Sequence, residues 1–172
     1  MPPPVALLSV LSRKTYGLTA FDIALPGVEC RTGGASGNHT LVFTFSNELT
    51  SLGPPQVTSG VGDVSDAQIG VDKHQYILSL TGVANAQAIT VRLGDVVDSA
   101  QNYSASVAAS AGILLGDSNG DRAVNSGDAQ QTRNRSGQIT DAINFRSDFN
   151  LDGTINSGDA TVVRSRSGQS IP

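Results

Sequence analysis

Along the first two thirds of the chain, apolar and polar residues alternate in short runs. Phe21-Asp22-Ile23-Ala24-Leu25, Leu41-Val42-Phe43-Thr44-Phe45, Tyr76-Ile77-Leu78-Ser79-Leu80 and Ile89-Thr90-Val91-Arg92-Leu93 all repeat with a period of two. That period sends one set of side chains inward and the other to the opposite face, as in a strand. Val5–Leu11 reads as another strand, "SASVAAS" at 104–110 as a weaker last one, and segments near 55–60 and 67–71 as two more. The turn-forming stretches "LPG", "RTGGASGN", "LGPP", "LTGVANA" and "GDVVDSAQN" separate these runs. No helical period intervenes, so the pattern predicts a sandwich of two sheets with about eight strands, not a βαβ fold. From Leu114 the alternation stops and stretches rich in Asp, Asn and Gly take over. Helices are expected at Asp128–Ser136 and Asp159–Ser167, with Gly137 and Gly168 at left-handed caps and arginines in the last turns. The expected division is 1–112 for the sandwich, with 1–12 an exchanged or edge strand, and 113–172 for a second domain.

That second part contains a repeat. "GDSNGDRAVNSGDAQQTRNRSGQ" at 116–138 returns as "SDFNLDGTINSGDATVVRSRSGQ" at 147–169, with 13 of 23 aligned positions identical. The identities favour acids, amides and glycine over the apolar residues that packing alone would preserve. Counted from its first Asp, one copy places Asp117, Asn119, Asp121, Asn125 and Asp128 at positions 1, 3, 5, 9 and 12. The other places Asp148, Asn150, Asp152, Asn156 and Asp159 there, while position 7, which offers a backbone carbonyl, is Ala123 or Thr154. Calcium takes six to eight hard oxygen ligands, and a 12-residue loop of this spacing wraps them around one centre. Asx-rich turns also form without metal. Magnesium prefers fewer protein ligands and zinc prefers His or Cys, so two registered copies favour two calcium ions. Position 8, Val124 or Ile155, is expected to tie the loops together. Arg122 stands at position 6, where the turn favours glycine, so the first loop is expected to bind more weakly. Ile139, Ile143, Phe145 and Phe149 are expected to fill the space between repeats. Each loop gathers three carboxylates, and this region is expected to fold only with metal, leaving the sandwich a passive scaffold.

Bulk properties narrow the functional classes. The chain has 172 residues and a formal charge of −4, which two calcium ions would cancel. A pI near 4.9 argues against a nucleic-acid surface. No run approaches the roughly 20 apolar residues of a membrane span. Cys30 is the single cysteine and is expected to be a packed free thiol. His39 and His74 lack the neighbours of a catalytic arrangement, and no glycine-rich loop opens a helix, so a non-enzymatic protein is expected. "GDVVDSAQN" reads as a hairpin loop rather than a third calcium site.

Two resemblances extend this reading. "HTLVFTFSNELTS" and "LTGVANAQAITVRLGDVVDSAQNY" loosely resemble bacterial immunoglobulin-like surface modules. "GDSNGDRAVNSGD" and "SDFNLDGTINSGD", each followed by a short helix ending in "RSG", resemble the duplicated repeats of type I dockerins. Dockerins bind two calcium ions and dock onto cohesins, often in extracellular polysaccharide-degrading assemblies. Here the positions associated with recognition carry Ser126-Gly127 and Ser157-Gly158. The resemblance implies a fold that is mainly β with a small α C-terminal module: an immunoglobulin-like β-sandwich plus a dockerin-like pair of calcium loop–helix repeats. It also implies an extracellular or cell-surface bacterial protein. The leading expectation is a calcium-stabilised structural subunit that self-associates into a filament through its N-terminal strand. The alternatives are a dockerin-like anchoring module for a cohesin-like receptor, or a carbohydrate-binding module.

Overall fold

A computed structural model describes residues 2–172. The strands are β1 (Leu7–Tyr16), β2 (Thr19–Ala24), β3 (Val28–Glu29), β4 (His39–Phe45), β5 (Leu49–Ser51), β6 (Gln56–Ser59), β7 (Asp63–Ile69), β8 (Gln75–Thr81), β9 (Gln87–Asp98) and β10 (Tyr103–Ile113). The helices α1 (Ser126–Asn134) and α2 (Ser157–Arg166) follow, with a 3-10 turn at Phe145–Ser147 between them. One sheet runs β2-β1-β4-β8-β7; the other runs β3-β10-β9-β5, with β6 also on β9. The alternation has its predicted consequence. Leu41, Phe43, Phe45, Leu78, Leu80, Ile89, Val91 and Leu93 are all buried in one core between the sheets.

Two expectations change here. β1 pairs antiparallel with β4 from Leu7 to Arg13 and with β2 on its other side from Leu11, so it is an edge only over its first residues. "GDVVDSAQN" is mostly strand, since β9 continues to Asp98 and only the last residues turn. Asp98 itself closes the hairpin, its carboxylate accepting from the N–H groups of Ala100 and Asn102 and the amides of Asn47 and Asn102. The short strands β3, β5 and β6, two to four residues each, lie below the length at which a period of two is visible in sequence.

A second core spans the two parts of the chain. Ile23, Val28 and Cys30 pack with Leu114, Val124, Phe149, Val163 and Ile171. Two short polar helices cannot bury a core of their own, and this one is completed by residues of β2, β3 and the segment after β3. The Phe21 and Phe145 rings stack at 5.3 Å, and the Arg31 guanidinium lies 5.1 Å from the Phe145 centroid. Arg31 is itself fully buried and paired with Glu29 at 2.7 Å. Ser12 also donates to that carboxylate. Burial pushes the Glu29 carboxyl up, but the guanidinium outweighs it and holds the group below its usual range. Cys30 is packed as expected, and burial pushes its thiol up to about 12, which keeps it protonated and inert.

Candidate metal centre

Both loops use the same local grammar. Asn125 and Asn156 cap α1 and α2, each accepting from the N–H two residues on at 2.7 Å. Asp128 and Asp159 complete the capping boxes by accepting from the cap N–H groups at 2.9 Å. The twelfth-position acids are therefore locked in place by the helices they begin. Their other oxygens accept from Ser118 and Asn119 in the first loop and from Phe149 in the second.

The first-position acids sit at the loop centres. Asp117 is fully buried and accepts from the N–H groups of Gly120, Asp121 and Arg122. Burial pushes its carboxyl up, partly offset by those N–H donors. Burial likewise raises Asp159. The fifth-position acid Asp121 is exposed and held below the usual range by the amides of Asn119 and Asn125 and the Ala123 N–H. Asp152 receives the same two amide donors, from Asn150 and Asn156.

In the first loop, carboxylate oxygens of Asp117, Asp121 and Asp128 lie within 4.8 Å of one another. In the second, Asp148 accepts from Gly153 at 2.9 Å and Thr140 at 2.6 Å through one oxygen, while the other is buried with no hydrogen-bond partner. A buried carboxylate oxygen without a donor is unfavourable unless something electropositive meets it. The converging carboxylates of the first loop and the orphaned Asp148 oxygen of the second are hard oxygen donors, which fits a hard divalent cation such as calcium. The Asn125 and Asn156 oxygens cap the helices, just as the Asn119 and Asn150 oxygens accept from the Asp121 and Asp152 N–H groups.

Other expectations need revision. Val124 and Ile155 are buried, but their backbones do not pair with each other. Val124 exchanges hydrogen bonds with Gly168 and Gln169 after α2, and Ile155 with Gly137 and Gln138 after α1. Each loop is thus tied to the tail of the other repeat. Backbone strain is shared as well. Gly120 and Arg122 have φ of 77° and 71°, while Leu151 and Gly153 have 65° and 87°. Each loop carries one glycine and one non-glycine in the left-handed region, and Arg122 does not single out the first. Of the four residues expected between repeats, Phe149 is fully buried and Phe145 half-buried, but Ile139 and Ile143 are 77% and 83% exposed.

Sequence reasoning missed the residues that hold the loops from outside. Arg146 donates to the carbonyls of Ser118 (2.8 Å), Asp117 (3.0 Å) and Val28 (3.1 Å), bracing the first loop against β3 from the second repeat. The Tyr16 hydroxyl of β1 donates to the carbonyls of Phe145 and Asp148, and the Thr32 N–H to that of Phe149. Arg146 is the one basic residue between the repeats, and that isolation was the available signal.

Two loop–helix units with crosswise pairing define a duplicated cation-loop module at the carboxyl end of a β-sandwich. Residues 115–166 match the family model of the dockerin type I domain. No curated protein and no solved structure matches the chain. The matched segment is a dockerin-like module, a non-catalytic class of domain whose type I members bind calcium. No helix of the described residues is long and apolar enough to cross a membrane.

Proposed function

We propose that this chain is a non-enzymatic, calcium-dependent anchoring protein of the bacterial exterior. Its dockerin-like module docks onto a cohesin-type receptor and its immunoglobulin-like sandwich acts as the carried or spacing element. The dockerin match over 115–166 is the observation that carries this reading. It favours anchoring over the self-associating filament that leads the sequence reading. The N-terminal strand is also less free to join a neighbour than that reading requires, since β1 pairs with β4 from Leu7 and with β2 from Leu11. Two ions are bound, one per loop: Asp117, Asn119, Asp121, the Ala123 carbonyl and Asp128 hold the first. Asp148, Asn150, Asp152, the Thr154 carbonyl and Asp159 hold the second, with Asn125 and Asn156 at the ninth positions. The ions supply the positive charge that lets three carboxylates share each loop.

The test is calorimetric titration of the chelator-treated protein with calcium, followed by titration of a cohesin panel into the loaded form. Two calcium ions per chain and calcium-dependent binding of at least one cohesin are expected. Calcium uptake with no cohesin bound would leave a calcium module but refute the anchoring role; no calcium uptake would refute both.

A further inference from the structure

The β-sandwich has one edge that is built unlike the others. β7 carries Asp63 and Asp66, and β2 carries Asp22 in an ion pair with Arg13. β5 and β6 are only three and four residues long. Charge and shortness are the usual means of keeping a sheet edge from pairing with another chain. β10 has neither: its eleven residues, "YSASVAASAGI", contain no charge and no proline.

Both ends of this edge are closed. The Tyr103 N–H donates to Pro3, and the Val5 N–H to the Ser104 hydroxyl. At the other end β3 pairs with Gly112 and Ile113. Between them no strand pairs with the outer side of β10. Gly112 and Leu114 donate outward, to Gly27 and Glu29, so the two-residue alternation turns the N–H and C=O groups of Ala108 and Ser110 outward too. Across from this edge, the outer side of β1 is unpaired before Val10, whose carbonyl accepts from the Leu25 N–H. A cavity of about 380 Å³ lies between, walled by Leu7, Leu8, Val10, Leu25 and Ala109 among others. Leu8 is 66% exposed, and Leu7, Leu25, Val107 and Ala109 are only partly buried against the core. The core is incompletely covered at the place where the backbone ladder is open.

We propose that this slot binds an extended, uncharged peptide segment of another protein, which pairs with β10 and completes the sandwich core. The open backbone edge requires an extended strand, whose alternate side chains fall into the apolar wall. The closed ends limit it to residues 105–111, roughly 23 Å at about 3.3 Å per residue. That length argues against a second copy, whose β10 continues past both ends with its own β3 and Pro3 segment attached. A free tail or linker, with apolar residues at every second position, meets neither obstruction. This surface is independent of the calcium loops.

The probe is a capped heptapeptide alternating threonine and valine, added to the full calcium-loaded chain. Hydrogen exchange at the Ala108 and Ser110 amides should slow at least tenfold at saturating peptide, with the β9 ladder unchanged. Ala108→Lys places a charge at the slot and should abolish the slowing while leaving the melting temperature unchanged. Ala108→Pro removes the outward N–H and serves as the second variant should the lysine perturb folding. Equal slowing in both variants, or none in the wild type at millimolar peptide, overturns the proposal. Slowing that instead follows protein concentration without peptide, with a doubled mass on sizing, also overturns it in favour of a second copy.

Discussion

Arg146 offers the sharpest test of how the sandwich and the loops are joined. Its guanidinium makes three hydrogen bonds to carbonyls at 2.8–3.1 Å, two in the first loop and one on β3. Arg146→Met keeps much of the side-chain stem but removes every donor. A hydrogen bond to a charged group contributes about 1.5–3 kcal/mol, yet three bonds from one half-buried side chain are not additive, and freed carbonyls near the surface recover water. The expected loss is on the order of 3 kcal/mol in urea unfolding with calcium present. The carbonyls lost include that of Asp117, whose carboxylate heads the first loop, and removing a residue that orients a ligand typically costs 10–100-fold in metal affinity. Calorimetry should therefore show about a tenfold weakening at the proposed first-loop calcium site, with the proposed second site little changed. Arg146→Lys should recover only part of the loss, because a compact ammonium does not span three separated acceptors as a planar fork does. A Met variant within about 0.5 kcal/mol of wild type, with both calcium affinities intact, would refute the reasoning.

His39 is buried, and burial first, then the charge of Lys14, lowers its pKa to about 4, against the opposing pull of Glu29. A histidine whose folded pKa lies below its unfolded value of about 6.5 contributes stability above that value and loses it as pH falls. The urea midpoint should drop from pH 6.5 toward 4, and His39→Gln should flatten that slope; an unchanged slope assigns the drop to other groups. Glu29→Gln leaves the Arg31 guanidinium buried without its anion, and about 3–5 kcal/mol of stability should disappear in the same assay. A loss below about 1 kcal/mol would show that water or rearrangement replaces the pair. Gly153→Ala, at φ 87°, should destabilise by about 1 kcal/mol, whereas Leu151→Gly, at φ 65°, should be neutral or slightly stabilising. Equal effects of the two would mean the loop relaxes out of the left-handed region.

How far sequence carries depends on the range of the interaction involved. The period of two located β4 and β8 to within two residues of their bounds, because each has one face on the core. The helices α1 and α2 begin two residues earlier than expected, at the residue after the capping Asn rather than at the capping-box Asp. The repeat spacing identified the acids that Asp117, Asp121 and Asp128 bring together, since a 12-residue loop is a local object. Long-range partners left no local mark. Nothing in the order of residues says that Val124 pairs with the tail of the other repeat, or that Tyr16 reaches the Asp148 carbonyl 132 positions away. Ile139 and Ile143 were misassigned for a related reason. They read as core because they are apolar, whereas the space they were expected to fill is occupied by Phe149 and by residues from the sandwich.

That substitution changes what calcium loss should do. Had the repeats enclosed their own core, removing the ions would melt residues 113–172 and leave the sandwich untouched. The second core instead contains Ile23, Val28 and Cys30, and it is flanked by the buried Glu29–Arg31 pair and the Phe21–Phe145 stack. Opening the loops withdraws Phe149 and Val163 from these residues and exposes to water the sandwich surface they cover. It also removes the Arg146 bond to the Val28 carbonyl. Chelation is therefore expected to lower the unfolding midpoint of the sandwich itself, read from the exchange of its core amides at Leu41, Phe43 and Leu78. The effect should be largest near β3 and smallest near β7, which lies at the far edge of the other sheet. The sandwich is in this sense a structural part of the calcium module. Its β3 supplies a wall that two short polar helices cannot make, and the proposed ions would hold that wall covered.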